Sequence, residues 1–357
     1  MRVAPRLEIN LLKIEHNARA LVDRLSLRGI SVTGITKAAL GSIEICHALL
    51  RAGVTSLGDS RIENLERMHH ERLRTKLILT RSPMLSQVKS VADWADISLN
   101  TEIKVIEQLS YFSKKKNTIH EVILMVELGD LREGIMPKDL MNIVQRTLQL
   151  PNILLKGIGC NLACRSGVIP DDMNMAELTF LAESIEKEFD IKLDIISGGN
   201  SANLMWAFNV ENTGRVNNLR LGESIFLGCD PLNRKPIEGL YSDAITLIAE
   251  VIESKTKPTK PWGEIGQSAF GDKSTSSEKG SISQSILAIG LQDTDVSGLV
   301  APPKIAILGA SSDHLIIKSD LALGDEVRFG LNYSAMLRAM TSPFIAKEYL
   351  NPLGSSL

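Results

Sequence analysis

The sequence predicts a (β/α)8 barrel followed by a C-terminal all-β domain, and three observations carry that expectation. Over roughly the first two thirds of the 357 residues, short apolar runs alternate with longer amphipathic stretches, the pattern of βα units and a parallel sheet. Eight such runs occur, the strand number of a closed α/β barrel. After Pro231 the pattern changes to short alternating runs separated by turn residues, which indicates a sheet domain poor in helix. A doubly wound sheet would want a Gly-rich turn after its first strand, and none is present. The expected division is 10–233 for the barrel and 234–357 for the β-rich domain.

An opening strand over 6–10 precedes a helix over 11–27, in which Leu12, Ile14, Ala18, Leu21, Val22 and Leu25 share one face. A strand ahead of the first barrel helix has no place inside a barrel, so residues 1–9 are expected to pair with the second domain. Barrel strands are expected at 31–37, 54–59, 76–80, 96–99, 121–127, 153–159, 192–197 and 218–221. Ser31 to Thr36 is β-branched and apolar, as a strand buried on both faces should be. The intervening helices are expected near 42–52, 62–73, 86–92, 102–114, 137–149, 172–188 and 200–208. Beyond them, 251–261 reads as a strand entering a Lys/Pro-rich bend, and further strands are expected at 284–290, 304–309, 313–318 and 325–329. The polar, low-complexity run 271–280 is expected to be mobile.

With 40 basic and 42 acidic residues, the chain carries no charge excess that would favour nucleic acid or an anionic membrane. Hydrophobic content of 44% supports a large core, while 4% aromatics argue against a stacking surface for single strands or sugars. Cys46, Cys160, Cys164 and Cys229 show no CxxC pairing, so neither a zinc ribbon nor a disulfide framework is expected, and no metal. No apolar run is long enough to span a bilayer and the N-terminus lacks a signal core, so a cytoplasmic globular protein is expected.

Chemistry in such barrels is done where strands end. Lys37 ends the first predicted strand among apolar neighbours, a partly desolvated amine able to form a Schiff base. The bland alternative is a lysine that snorkels to solvent. After the fifth strand, Glu127–Gly134 is a glycine-punctuated loop presenting Arg132, and after the sixth comes Gly157–Cys164 with Asn161. After the seventh, Ser197-Gly198-Gly199-Asn200-Ser201-Ala202 combines glycines, hydroxyls and a helix start, which suits an anion. It reads equally as an ordinary turn with Asn200 or Ser201 as N-cap. After the eighth comes Arg220-Leu221-Gly222-Glu223. A reactive amine, a phosphate cradle and an arginine on one rim together ask for pyridoxal phosphate.

This joint pattern resembles the alanine-racemase-like, fold-type III pyridoxal-phosphate enzymes, closest to the alanine/ornithine racemase branch. Leu308–His314, Leu323–Val327 and Tyr333 in the second domain add to the resemblance, which spans most of the chain. It implies that Lys37 forms the Schiff base and carries one proton, and that Arg220 donates to the pyridine nitrogen. It also implies a phosphate site from Ser197, Asn200, Ser201, Gly222 and Tyr333. Arg132 would lie near the phenolate, Asn161 along the ring face, and Asp313 on the partner side of a head-to-tail homodimer with shared active sites.

Two positions depart from the family. Leu291, in Ile289–Asp295, stands where these racemases keep a tyrosine base, and Met125 stands where many have a modified lysine supporting the arginine. Replacement bases available in the sequence are Asp293, Asp295, Asp313, His314 and Cys164, with Asp293 and Asp295 preferred. The expected activity is racemisation of a free amino acid, with an acidic loop pointing to a basic one such as ornithine, lysine or arginine. The alternatives are a lyase of the same fold type and a non-catalytic pyridoxal-phosphate homeostasis protein.

Overall fold

The structure, a computed structural model, describes residues 3–267, 270 and 280–350. Of the low-complexity run at 271–280, residues 271–279 lie outside the described residues. The chain forms two compact units, Leu12–Ser242 and a second made of Met1–Leu11 with Asp243–Leu357. The division falls after Ser242 and not after residue 233, because the intervening turn belongs to the barrel unit. There Cys229 bridges Pro236, Ile237 N–H reaches Gly228 O at 2.9 Å, and Asn17 Oδ1 accepts Tyr241 N–H at 2.7 Å.

Strand β1 (Arg6–Asn10) belongs to the second unit. The barrel is built from β2 (Ser31–Ile35), β3 (Ser56–Asp59), β4 (Lys76–Leu79), β5 (Ile97–Asn100), β6 (His120–Val126), β7 (Ile153–Cys160), β8 (Ile195–Ser197) and β9 (Asn218–Leu221). These eight strands close into one parallel barrel, β9 returning to β2 with Ser31 beside Asn218 and Gly34 beside Leu221. Amphipathic helices cover the outside; Ile43–Arg51, for instance, buries Ile45, Cys46, Ala48 and Leu49 and starts at Ser42, whose Oγ accepts Ile45 N–H. The barrel core is divided in character. Ile78, Ile97, Leu99, Ile123 and Met125 form an apolar cluster with Ile195, while β2, β3, β8 and β9 contribute polar side chains.

Several boundaries shift for local reasons. β2 stops at Ile35, so Lys37 opens a 3-10 turn, Lys37–Ala39, that ends in Leu40 at φ 51° and Gly41 at φ 60°. A Cβ on Gly41 would lie 2.8 Å from Asn64 Cβ, so both the left-handed backbone and the close approach require glycine. β8 begins only at Ile195, because Leu193 N–H is held by Glu186 Oε1 at 2.9 Å.

The second unit is one sheet ordered β12-β15-β10-β11-β14-β13, from β10 (Ile245–Pro258), β11 (Ser281–Leu287), β12 (Leu299–Val300), β13 (Ala306–Ala310), β14 (Leu315–Lys318) and β15 (Glu326–Leu331). β1 pairs antiparallel with β10 and parallel with β16 (Ala346–Leu350). Arg6, 5% exposed, binds Glu8 at 2.8 Å and Glu326 at 2.6 Å, so a charge cluster ties β1 to β15. β10 starts earlier than residue 251 because its buried half pairs with β1 and β15 on its two edges. Sequence patterning did not reveal β16 or the helix Tyr333–Thr341, whose N-cap Asn332 accepts Ala335 N–H at 2.9 Å.

Candidate active site

The turn bearing Lys37 is latched to the next βα unit. Thr36, fully buried, donates from Oγ1 to Asp59 Oδ2 at 2.7 Å. Asp59, also fully buried, accepts Arg61 N–H at 2.9 Å and Asn64 Nδ2 at 3.0 Å through Oδ1. Arg67 closes the circuit, donating to Asn64 Oδ1 at 2.9 Å and to Leu40 O. Burial pushes the Asp59 carboxyl up, while Thr36 and the Arg61 and Asn64 N–H groups pull the other way. Lys37 itself is half-buried, and no hydrogen bond or ion pair of its amine occurs among the described residues.

A polar wall stands beside it on β9 and β8. Arg220 is 6% exposed and donates to Ser197 Oγ at 2.6 Å, Cys160 O at 2.8 Å and Asn161 Oδ1 at 3.4 Å. Ser197 Oγ passes its own hydrogen to Asn218 Oδ1 at 2.8 Å, and Asn218 Nδ2 donates to Thr33 Oγ1 at 3.0 Å. Burial lowers the guanidinium's affinity for its proton, yet arginine keeps it at any ordinary pH. Every acceptor in hydrogen-bond contact with Arg220 is neutral, so a cation lies buried without a carboxylate among the described residues.

Three loops meet on the same rim. Asp130, 1% exposed, accepts the backbone N–H groups of Cys164, Arg165 and Ser166 at 3.1, 2.9 and 3.0 Å. Burial raises its pKa, but those N–H groups outweigh it and hold the carboxyl low, clamping the loop after β6 to the loop after β7. Arg132, exposed, is ion-paired with Glu133, which makes it hold its proton more tightly. Asn200 caps the 3-10 turn Ser201–Asn203 through Oδ1, and its Nδ2 donates to Leu162 O at 2.8 Å, Asn161 Oδ1 at 3.2 Å and Cys164 Sγ at 3.5 Å. Its side chain thus does the work of an N-cap and braces the neighbouring loop. Ser201 Oγ accepts Gly222 N–H at 3.4 Å and Ser224 N–H at 3.3 Å. Asn161 Nδ2 is buried with no partner.

In the second unit, Gly290 abuts Ser312 and Asp313 so tightly that a Cβ would lie 2.4 Å from Asp313 N, which brings the Leu291 and Asp313 loops together. Asp293, 5% exposed, accepts Gly290 N–H at 3.1 Å and Ser342 Oγ–H at 3.2 Å. Asp295 caps the 3-10 turn Val296–Gly298, and its hydrogen bonds to Ser297 and Ser334 hold its pKa down. Asp313 is exposed and joined to His314 Nδ1 at 2.7 Å, which lowers its pKa. Tyr333 opens the helix Tyr333–Thr341.

Sequence reasoning gave no role to Asp59, Asp130, Asn218 or Glu223. Only tertiary pairing distinguishes the first three from ordinary strand and loop residues. Glu223 begins the helix Glu223–Leu227 and is ion-paired with Arg234; burial raises its pKa against the pull of Arg234 and Lys37.

Comparison with known proteins places these features in context. An ornithine racemase of Acetoanaerobium sticklandii is 38% identical over 353 residues, covering 97% of this chain and 99% of the relative. A lysine racemase of Thermotoga maritima is 37% identical over 352 residues, with coverage of 97% and 99%. The crystal structure of an alanine racemase from Streptomyces lavendulae shares the fold at a TM-score of 0.76 and 16% identity, covering 99% of each chain. The family profile described as "Alanine racemase, N-terminal domain" matches residues 9–230. With that match over more than half its length, and two relatives similar from end to end, this chain belongs to the alanine racemase N-terminal domain family.

Proposed function

We propose that this protein is a pyridoxal-phosphate-dependent racemase of a free basic amino acid, ornithine or lysine in the first instance. The observation that carries the reading is the half-buried Lys37, unpaired among the described residues, on the same rim as the buried cation Arg220. Both full-length relatives bear the names of racemases of basic amino acids. The residues also fit the cofactor. Arg220 lacks an anionic partner among the described residues, Asn161 Nδ2 is a buried donor without an acceptor, and Ser201 Oγ gathers the Gly222 and Ser224 N–H groups.

When bound, pyridoxal phosphate supplies the electron-withdrawing system that acidifies the Cα–H of an amino acid. Lys37 would hold the cofactor and move a proton at Nζ. Arg220, aimed by Ser197 and Asn218, would present an N–H to the ring nitrogen without surrendering its proton. Ser201 and the Gly222 N–H would hold the phosphate, with Asn200 fixing that turn. Arg132 would face the phenolate. Asp295 and Asp313, the aspartates that keep exposed surface, would give a cationic side chain its counter-charge. We further assign a head-to-tail homodimer and a cytoplasmic setting; free cysteines at all four positions suit a reducing compartment.

The test incubates the holoprotein with L- and D-ornithine, lysine, alanine and serine, followed by chiral chromatography. Inversion of a basic amino acid ahead of alanine and serine is expected; inversion of none would sink the reading.

A further inference from the structure

Racemisation needs a proton carrier on each side of Cα, and Leu291 cannot be one. We propose that Cys164 is the second proton carrier, facing Lys37 across the barrel mouth; this rests on the racemase reading above. In the closed order of strands, β6 lies opposite β2, and β7 is separated from β2 by β8 and β9. The loops carrying Arg132 and Cys164 therefore leave the barrel four and three strands away from β2, at whose end Lys37 lies. The residues that would hold the cofactor at this rim would leave the Lys37 amine and the Cys164 thiol as its two proton carriers.

Cys164 is exposed, and its sulfur accepts a hydrogen bond from Asn200 Nδ2 at 3.5 Å, a donor placed where negative charge would form. The same corner shows independent signs of a ligand among the described residues: the buried Arg220 cation hydrogen-bonded to no carboxylate, and the unpartnered Asn161 Nδ2. The other thiol of this loop is unsuited, since Cys160 is buried, donates to Gly198 O at 3.1 Å, and is pushed up to about 12 by burial. Asp293 is enclosed by Gly290 and Ser342. In one direction the Cys164 thiolate takes the Cα proton, breaking C–H and forming S–H, and Lys37 Nζ returns a proton to the opposite face. The reverse direction exchanges the two roles, and solvent exchange resets both groups.

Cys164→Ala and Cys164→Ser test this in the holoenzyme. Racemisation is expected to fall by at least ~100-fold. Exchange of the Cα hydrogen in heavy water should continue for one enantiomer only, served by Lys37. Iodoacetamide labelling of wild-type Cys164, mapped by mass spectrometry, should slow at least about tenfold when cofactor and amino acid are both bound. Wild-type racemisation in both variants, equal loss of exchange from both enantiomers, or labelling indifferent to ligands would each overturn the proposal. A wild-type enzyme that neither racemises nor exchanges would instead overturn the racemase reading itself.

Discussion

Replacing His120 by glutamine is expected to remove an acid-sensitive element of stability from the barrel while leaving its rim untouched. His120 opens β6, at the end opposite the loops that carry the site, and is 2% exposed. Its Nε2 lies 2.7 Å from Ser98 Oγ, which also receives Asn100 Nδ2 at 2.9 Å. Because Ser98 Oγ already accepts the Asn100 amide, its own hydrogen is left for Nε2, a pairing that suits the neutral ring. Burial pulls the imidazole down from 6.5 to about 4, with the Ala95 hydrogen bond opposing and Lys116 adding to the fall. Between those values the unfolded chain binds a proton that the folded chain refuses. Stability is therefore fully present above pH 6.5 and drains away as pH falls through the folded value. At about 1.4 kcal/mol per pH unit, the gap is worth about 3 kcal/mol. Urea midpoints measured from about pH 4.5 to about pH 7.5 in wild type and H120Q give the comparison. The variant's profile should be flatter on the acid side, with unchanged turnover at neutral pH. Parallel profiles would refute the reasoning.

Other outcomes follow from the same contacts. Lys37→Ala should abolish visible absorbance and cofactor retention through gel filtration, while the unfolding free energy in urea, compared between the cofactor-free proteins, changes by no more than about 0.5 kcal/mol, because the Lys37 amine makes no hydrogen bond among the described residues. Asp59→Ala should cost about 3 kcal/mol in urea unfolding, since it strands the Thr36 hydroxyl, the Arg61 N–H and the Asn64 amide in a buried site. Asp59→Asn keeps acceptors for the last two and should recover most of that loss; equal losses would count against the latch. Gly157→Ala should yield little soluble protein, because its Cβ would lie 1.7 Å from the Ile195 carbonyl across the β7–β8 pairing. Normal yield and urea midpoint would contradict that contact.

The residues legible in advance were those whose type and position speak together. Lys37 at a strand end, the glycine-rich turn before Ser201 and Arg220 with Gly222 each stood out from ordinary barrel loops. What could not be read was engagement. Asn200 could be read as a cap or as an anion holder; it caps its turn, and what no pattern revealed is that its amide braces the loop at Leu162. Asp293 looked like a loop carboxylate open to substrate, yet Gly290 N–H and the Ser342 hydroxyl enclose it. Asp59 looked like the last residue of a strand, and is the keystone of the turn that presents Lys37.

Periodicity decides strands and helices because burial on one face or two must be written into neighbouring residues. The barrel, the sheet that follows it and the rim that bears the chemistry were accordingly open to reading along the chain. The hydrogen-bond partners of a buried carboxylate or amide come from residues far away in sequence, and no local pattern encodes them. Closure of β9 onto β2 is what sets the polar wall of Arg220, Ser197 and Asn218 beside Thr33, and ring order is what separates the Cys164 loop, after β7, from Lys37, at the end of β2.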